Sequence, residues 1–300
     1  WTLTMTFGAA EHRILDMFKI GTRFIFDDIE YVVTVSGKPT CSKGEPKTDI
    51  YIAAKSSVNT IKEFKISFKK INADFLENKT NAERAEQLLG SEWDNIIAMA
   101  TSNMKDAFLS RPLIYREKFG RTDAGAITLG WKFELLNVLS GQLSGVIDLS
   151  REQVIDVYAG TNLVGDKKDS TVNRIMVPNS GISNYILFED KAFGSVQQVI
   201  DSLITIEDYV ELNPNVYFAC KALNYRTFKK KYDGNRPLAV YVDWFVREGK
   251  LAYNLDFDTP LKQGGNYAFA RLKSALDTLG VETTNDLNSY NVENSNTIFG

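Results

Sequence analysis

The sequence predicts an α/β protein of the α+β type: a helix and a run of strands make a mixed sheet, and a C-terminal β-meander with helices extends it. Three observations carry this expectation. Ile14, Leu15 and Phe18 recur at helical spacing between Gly8 and Ile20, and Gly21 follows as a stop. Four short segments between Arg23 and Lys69 are rich in β-branched and aromatic residues and are separated by turn residues. Val216 to Tyr225, Leu238 to Val246 and Leu251 to Phe257 alternate, and Glu248-Gly249 turns the last pair.

The elements follow in order. After the first helix, Arg23–Phe26 and Ile29–Val35 read as strands around an Asp27-Asp28 turn, and Ser36 to Glu45 is a loop with Gly, Pro and Lys. Thr48–Ala54 and Ile61–Lys69 read as the next hairpin, with Lys55 to Thr60 between them. Thr80-x-x-Glu83 is a capping box for a short helix ending at Gly90, and Ser91 caps a longer stripe of Trp93, Ile96, Ile97, Ala100, Met104 and Phe108. Extended stretches at Leu113–Tyr115 and Ile127–Val138 come next, then helices capped by Ser150-x-x-Gln153 and Ser195-x-x-Gln198. A final helix at Tyr267–Leu279 precedes an Asn- and Ser-rich tail that reads as mobile. The expected division is a core over residues 1–110 and a second region over 111–300, with Gly165 to Thr171 as another candidate boundary.

The functional argument centres on GEPKTDIYIAAKSSVNTIKEFKISFKK, Gly44 to Lys70. Alternation along the second strand sends Phe64, Ile66 and Phe68 to one face and Glu63, Lys65, Ser67 and Lys69 to the other. With the turn centred near Ser57, Asp49 falls roughly across from Lys65, and Glu63 lies diagonally within reach. Two carboxylates and an ammonium so arranged suit a hard divalent cation beside a phosphate.

Asp49 followed one strand later by Glu63-Phe64-Lys65 resembles the catalytic pattern of the PD-(D/E)xK nuclease superfamily. The lead-in Gly44-Glu45-Pro46-Lys47-Thr48-Asp49 resembles the segment before the catalytic aspartate of some type II restriction endonucleases, with the proline three residues ahead of Asp49. The resemblance covers roughly residues 8–110 and implies an αβββα core, Mg2+ held by Asp49 and Glu63, and a water positioned by Lys65. It further implies sequence-specific cleavage of double-stranded DNA, often by a homodimer. Related nucleases sometimes draw an acid from the first helix, so Glu11 is weighed as a ligand against an exposed helix glutamate, and Glu45 stays open beside it. The alternatives are a structure-selective or repair nuclease on the same core, or a non-catalytic DNA-binding protein.

Composition narrows the remaining classes. The chain has 300 residues, 44% hydrophobic and 24% charged, with a formal net charge of -3, which leaves DNA binding to local basic patches. Lys38, Lys43 and Lys47 are either phosphate contacts or solvated loop charges. Arg226, Lys229, Lys230 and Lys231, interleaved with Phe228 and Tyr232, are either a DNA-contacting hairpin tip or a solvated turn. One histidine, His12, rules out histidine-rich metal chemistry, and two cysteines, Cys41 and Cys220, make neither a disulfide framework nor a zinc site. There is no Walker loop, dinucleotide fingerprint or G-x-S-x-G elbow. With no bilayer-length apolar run, a cytoplasmic protein without membrane contact is expected.

Overall fold

The computed structural model describes residues 7–71, 75–190 and 192–300. It is an α+β protein with eight α-helices among the described residues. The chain forms two compact units, one from residues 1–74, 87–90 and 149–215, the other from residues 75–86, 91–148 and 216–300. The division expected at residue 110 therefore does not match the units: the first is interrupted after its hairpin and resumes at Leu149, and Gly165 to Thr171 lies inside it. No helix among the described residues is long and apolar enough to cross a membrane.

The first unit begins with helix α1 (Phe7–Met17), followed by strands β1 (Arg23–Phe26), β2 (Ile29–Gly37), β3 (Ile50–Ser56) and β4 (Ile61–Lys69). These four strands run antiparallel, each beside the next. Asp27 and Asp28 both adopt positive φ, as a two-residue hairpin turn between β1 and β2 requires. The strand Tyr185–Phe188 then joins β4 in parallel, and Ile204–Thr205 closes the sheet antiparallel to it, which makes the sheet mixed. Period-two alternation fixes which face is buried. Ile50, Ile52, Phe64, Ile66 and Phe68 pack with Ala10, Ile14 and Phe18 of α1 and with Val199 and Ile200 of the helix Val196–Asp201. On the opposite face Tyr51 and Ala53 pack with Val172, and Val35 and Val177 flank them.

The second unit is organised on Ala126–Leu136, a strand buried over most of its length. Tyr217–Arg226 pairs along one side of it and Val240–Arg247 on the other, both antiparallel. The three C-terminal strands are thus not a consecutive meander, because Ala126–Leu136 inserts between the first and second. Gly130 permits that insertion: a Cβ there would sit 2.6 Å from the Val240 carbonyl oxygen. Phe133 and Phe218 stack across the ladder, and Trp244 Nε1 donates to the Thr128 carbonyl at 2.9 Å. The helix Gly265–Leu279 buries Ala268, Leu272, Ala275 and Leu276.

Two further expectations are corrected. The stripe from Trp93 to Phe108 is two helices, Trp93–Ser102 and Lys105–Leu109, and Glu92 rather than Ser91 occupies the N-cap without a side-chain bond. The C-terminal tail is packed: Leu287 and Val292 are buried, Ile298–Phe299 pairs in parallel with Ile114–Tyr115, and Arg247 binds Glu293. Its Asn side chains hold the local turns, as where Asn291 Nδ2 donates to the Asp286 carbonyl.

Candidate active site at the end of the first sheet

The start of β3, the end of β4 and the loop leaving β2 meet at one end of the first sheet. The residues before Asp49 are strapped there by backbone bonds. Lys47 and Thr48 N–H both donate to the Gly181 carbonyl, at 2.9 and 3.1 Å, and Ser183 Oγ donates to the Lys47 carbonyl at 2.8 Å. Asp49 N–H donates to the Ile66 carbonyl, and the Asp49 carboxylate Oδ2 accepts from Phe68 N–H at 2.8 Å. The side chain thus takes a ladder donor that β3 no longer reaches, which fixes its position. Gly181 is indispensable to the strap, since a Cβ would lie 1.7 Å from the Lys167 carbonyl oxygen. Gly181→Ala is expected to cost about 3 kcal/mol or more through forced backbone movement. A denaturant melt within about 0.5 kcal/mol of wild type would contradict the strap.

Glu11 of α1 is buried and accepts from Lys38 Nζ at 2.6 Å. The bland expectation of an exposed helix glutamate is therefore corrected: Glu11 stands three and seven residues before Ile14 and Phe18, so helical spacing already sets it on their face, and that face is buried. Lys38 stays half-exposed. Burial is the largest influence on its ammonium and works to lower its proton affinity. The Glu11 hydrogen bond and charge, with Asp49 and Glu45, outweigh it and hold the lysine above its ordinary range.

Asp49 feels the same neighbours. Desolvation raises its carboxyl from 3.8 to about 6, against the opposing pull of Lys69, the Phe68 N–H bond and Lys38, and with the Glu11 charge adding to the rise. The charges of Glu11, Lys38 and Lys69 thus all act on the Asp49 carboxyl.

Glu63 and Lys65 are not brought to Asp49 in the expected way. The loop between β3 and β4 closes with Ser56 N–H on the Thr60 carbonyl, and Asn59 takes positive φ. That centres the turn at Val58, one residue later than expected, and shifts the pairing by two. Tyr51 stands opposite Lys65 and Ala53 opposite Glu63, so continuing the register sets Asp49 beside Ser67. Glu63 lies four strand positions beyond Asp49, about 13 Å along the ladder. Its carboxylate accepts from the Tyr51 hydroxyl, which burial first and Glu63 second push above its ordinary range. Lys65 Nζ donates to the Asn179 carbonyl at 3.2 Å, and burial lowers the lysine despite the Glu63 charge. The expected face assignment holds, while the expected convergence does not.

Lys69 is the residue that the pattern missed. It is the last of four alternating positions on the polar face of β4, and Ser67-Phe68-Lys69 repeats the spacing of Glu63-Phe64-Lys65 four residues on. Applying the spacing to whichever residue opposes Asp49 would have found it.

The expected DNA contacts divide. Lys38 is committed to Glu11 but remains at the surface, and Lys43 is exposed. Lys47 is buried with its stem against Gly160, where a Cβ would meet Lys47 Cγ at 2.5 Å, so it is not a surface phosphate contact. In the second unit Arg226 binds Asp233 and Asp123, each at 2.8 Å, and works as a clasp on its turn. Tyr232 stacks on Phe269 and donates to Asn266 Oδ1. Lys229, Lys230 and Lys231 are exposed, with Lys230 at positive φ in the turn.

No protein family, curated protein or solved structure in the comparisons matches the chain. Among the described residues no group of three or more His, Cys, Asp or Glu side chains is gathered for a metal ion. A Mg2+ ion is ordinarily held by one or two carboxylates with its remaining positions filled by water. Glu11 and Asp49 supply two carboxylates of that kind. Lys38 already places a cation on Glu11, and Asp49 is short of the positive charge that would keep it ionised at its depth.

Proposed function

We propose that this chain is a Mg2+-dependent DNA endonuclease acting at the Asp49 end of the first sheet, with the restriction-enzyme type of cutting that the resemblance implies. What supports the reading is that Asp49, held by Phe68 N–H at the sheet end where β3 begins, feels the charge of Glu11, which is itself bound to Lys38. The order of α1 followed by antiparallel β2, β3 and β4 supports it, with β1 as an addition to the αβββα pattern.

Asp49 and Glu11 would hold the ion, which when bound polarises a phosphoryl oxygen and acidifies a water. Asp49 is held in place by Phe68 N–H and by the strap at Gly181, so it needs no reordering to bind. Lys69 offers positive charge to the phosphate as negative charge accumulates there. Lys38 neutralises Glu11 and faces solvent, from which a polyanion arrives. Glu63 and Lys65 belong, on this reading, to a polar cluster with Tyr51 farther along the same strands. A symmetric double-strand cut would call for two copies of the chain.

The test is incubation with a long DNA of known sequence, in Mg2+ and separately in EDTA. Discrete bands in Mg2+ alone are expected. A smear, or cutting only at junctions, would replace sequence-specific cleavage with the structure-selective alternative, and binding with no cutting in any divalent metal would leave a non-catalytic DNA-binding protein.

A further inference from the structure

A hairpin beside the candidate site carries features that its fold does not require. Thr171–Val172 and Ile175–Met176 pair across a two-residue turn in which both Asn173 and Arg174 take positive φ, 49° and 69°. A turn of this kind favours glycine at its second position, and an arginine held there costs on the order of 1 kcal/mol. The sequence keeps a long cationic side chain where glycine would be easier. Next to it, Ile175 is 68% and Met176 60% exposed, although Val172, the cross-strand partner of Ile175, is buried.

The hairpin is fixed relative to the candidate site. Thr40 and Thr171 exchange backbone hydrogen bonds of 2.9 Å, and Asn173 Nδ2 donates to the Ser36 carbonyl at 2.9 Å. These contacts bracket Lys38, which is bound to Glu11. Ser42 N–H donates to Asp166 at 2.7 Å, which draws the loop bearing Lys43 to the segment that leads into the hairpin. Arg174 thus precedes two exposed apolar residues in the hairpin, and Lys38 and Lys43 lie on the loop bonded to it.

We infer that the hairpin Thr171–Met176 is a wedge for duplex DNA: Arg174 meets phosphate, and Ile175 and Met176 press against the bases. Apolar side chains that enter a groove unstack base steps, while cations beside them bind the backbone whatever the sequence. The inference rests on the proposed nuclease reading and names how that site would grip its substrate.

Its test measures duplex affinity over a salt series in Ca2+, together with the fluorescence of a duplex containing 2-aminopurine, which brightens on unstacking. The combined Ile175→Ser and Met176→Ser variant is expected to bind at least tenfold more weakly and to lose the fluorescence rise, with its thermal midpoint unchanged. Arg174→Gly, which removes the positive-φ cost and so keeps the fold, is expected to lower the slope of log affinity against log salt by about one. Wild-type affinity, slope and fluorescence in both variants would overturn the wedge. Asp49→Asn separates the two readings, since it should lose cutting while keeping the salt slope and the fluorescence rise that the hairpin produces. If wild type cuts and the hairpin variants bind normally, the wedge alone falls. Weakened hairpin variants of a protein that cuts nothing would keep the wedge and remove the nuclease. A wild type that neither binds nor cuts duplex removes both.

Discussion

Asp49→Asn is expected to make the protein more stable at pH 8 and, on the proposed nuclease reading, to end cleavage. An Asp carboxyl raised from 3.8 to about 6 means that the folded state holds the proton more tightly than the unfolded chain. Below pH 4 both states are protonated and the group costs nothing. As pH rises through the window from about 4 to 6 the folded protein loses stability, and above pH 6 the full cost of the buried charge is present, about 3 kcal/mol at ~1.4 kcal/mol per pH unit. The asparagine removes that cost and still has an oxygen to accept from Phe68 N–H. Denaturant melts from pH 3 to 8 should therefore show the variant gaining on wild type across that window, with equal stabilities below it. Mg2+ should stabilise wild type and not the variant. A variant less stable than wild type at pH 8 would mean that Asp49 is ionised comfortably, and that no cation is needed beside it.

Lys38→Met is expected to act in the opposite direction. It leaves Glu11 buried without its ammonium partner and removes one of the charges that favour the ionised form of Asp49. Stranding a buried charge ordinarily costs 3–5 kcal/mol, about, when both partners are enclosed. Lys38 is half-exposed, so water can reach Glu11 once it is gone, and solvent screening reduces the expected loss to about 2 kcal/mol at pH 8. The share of the loss that falls on Asp49 should fade as the pH drops below about 6, and millimolar Mg2+ should restore much of the whole by replacing the ammonium. A pH-independent loss that Mg2+ leaves untouched would show that Lys38 matters through the packing of its stem.

Much of the first sheet was legible because its signals are local. Strand alternation separated Phe64, Ile66 and Phe68 from the polar residues between them, and Asp27-Asp28 and Ser150-x-x-Gln153 announced a turn and a capping box that the structure contains. Register was harder. A single residue of error in the turn, set by Asn59 at positive φ, moved Asp49 from Lys65 to Ser67 and Glu63 out of reach. Glu11 was misjudged although its spacing from Ile14 and Phe18 sets it on the buried face, because a charged residue type ordinarily stands in solvent. The placement of Ala126–Leu136 between two later strands, and the interleaving of the two units along the chain, depend on pairings far apart in the chain, which local patterns do not encode.

On the nuclease reading proposed above, the lysine that faces the phosphate is Lys69, beside Asp49, and not the Lys65 of Glu63-x-Lys65. Single-turnover cleavage of DNA in Mg2+ by Lys69→Ala and Lys65→Ala measures it directly. The Asp49, Glu11 and Lys69 site predicts a loss on the order of 10²–10³-fold for Lys69→Ala, and a rate within a few-fold of wild type for Lys65→Ala. Near-normal cleavage by Lys69→Ala together with a dead Lys65→Ala would contradict it and return the chemistry to the Glu63 end of the strand.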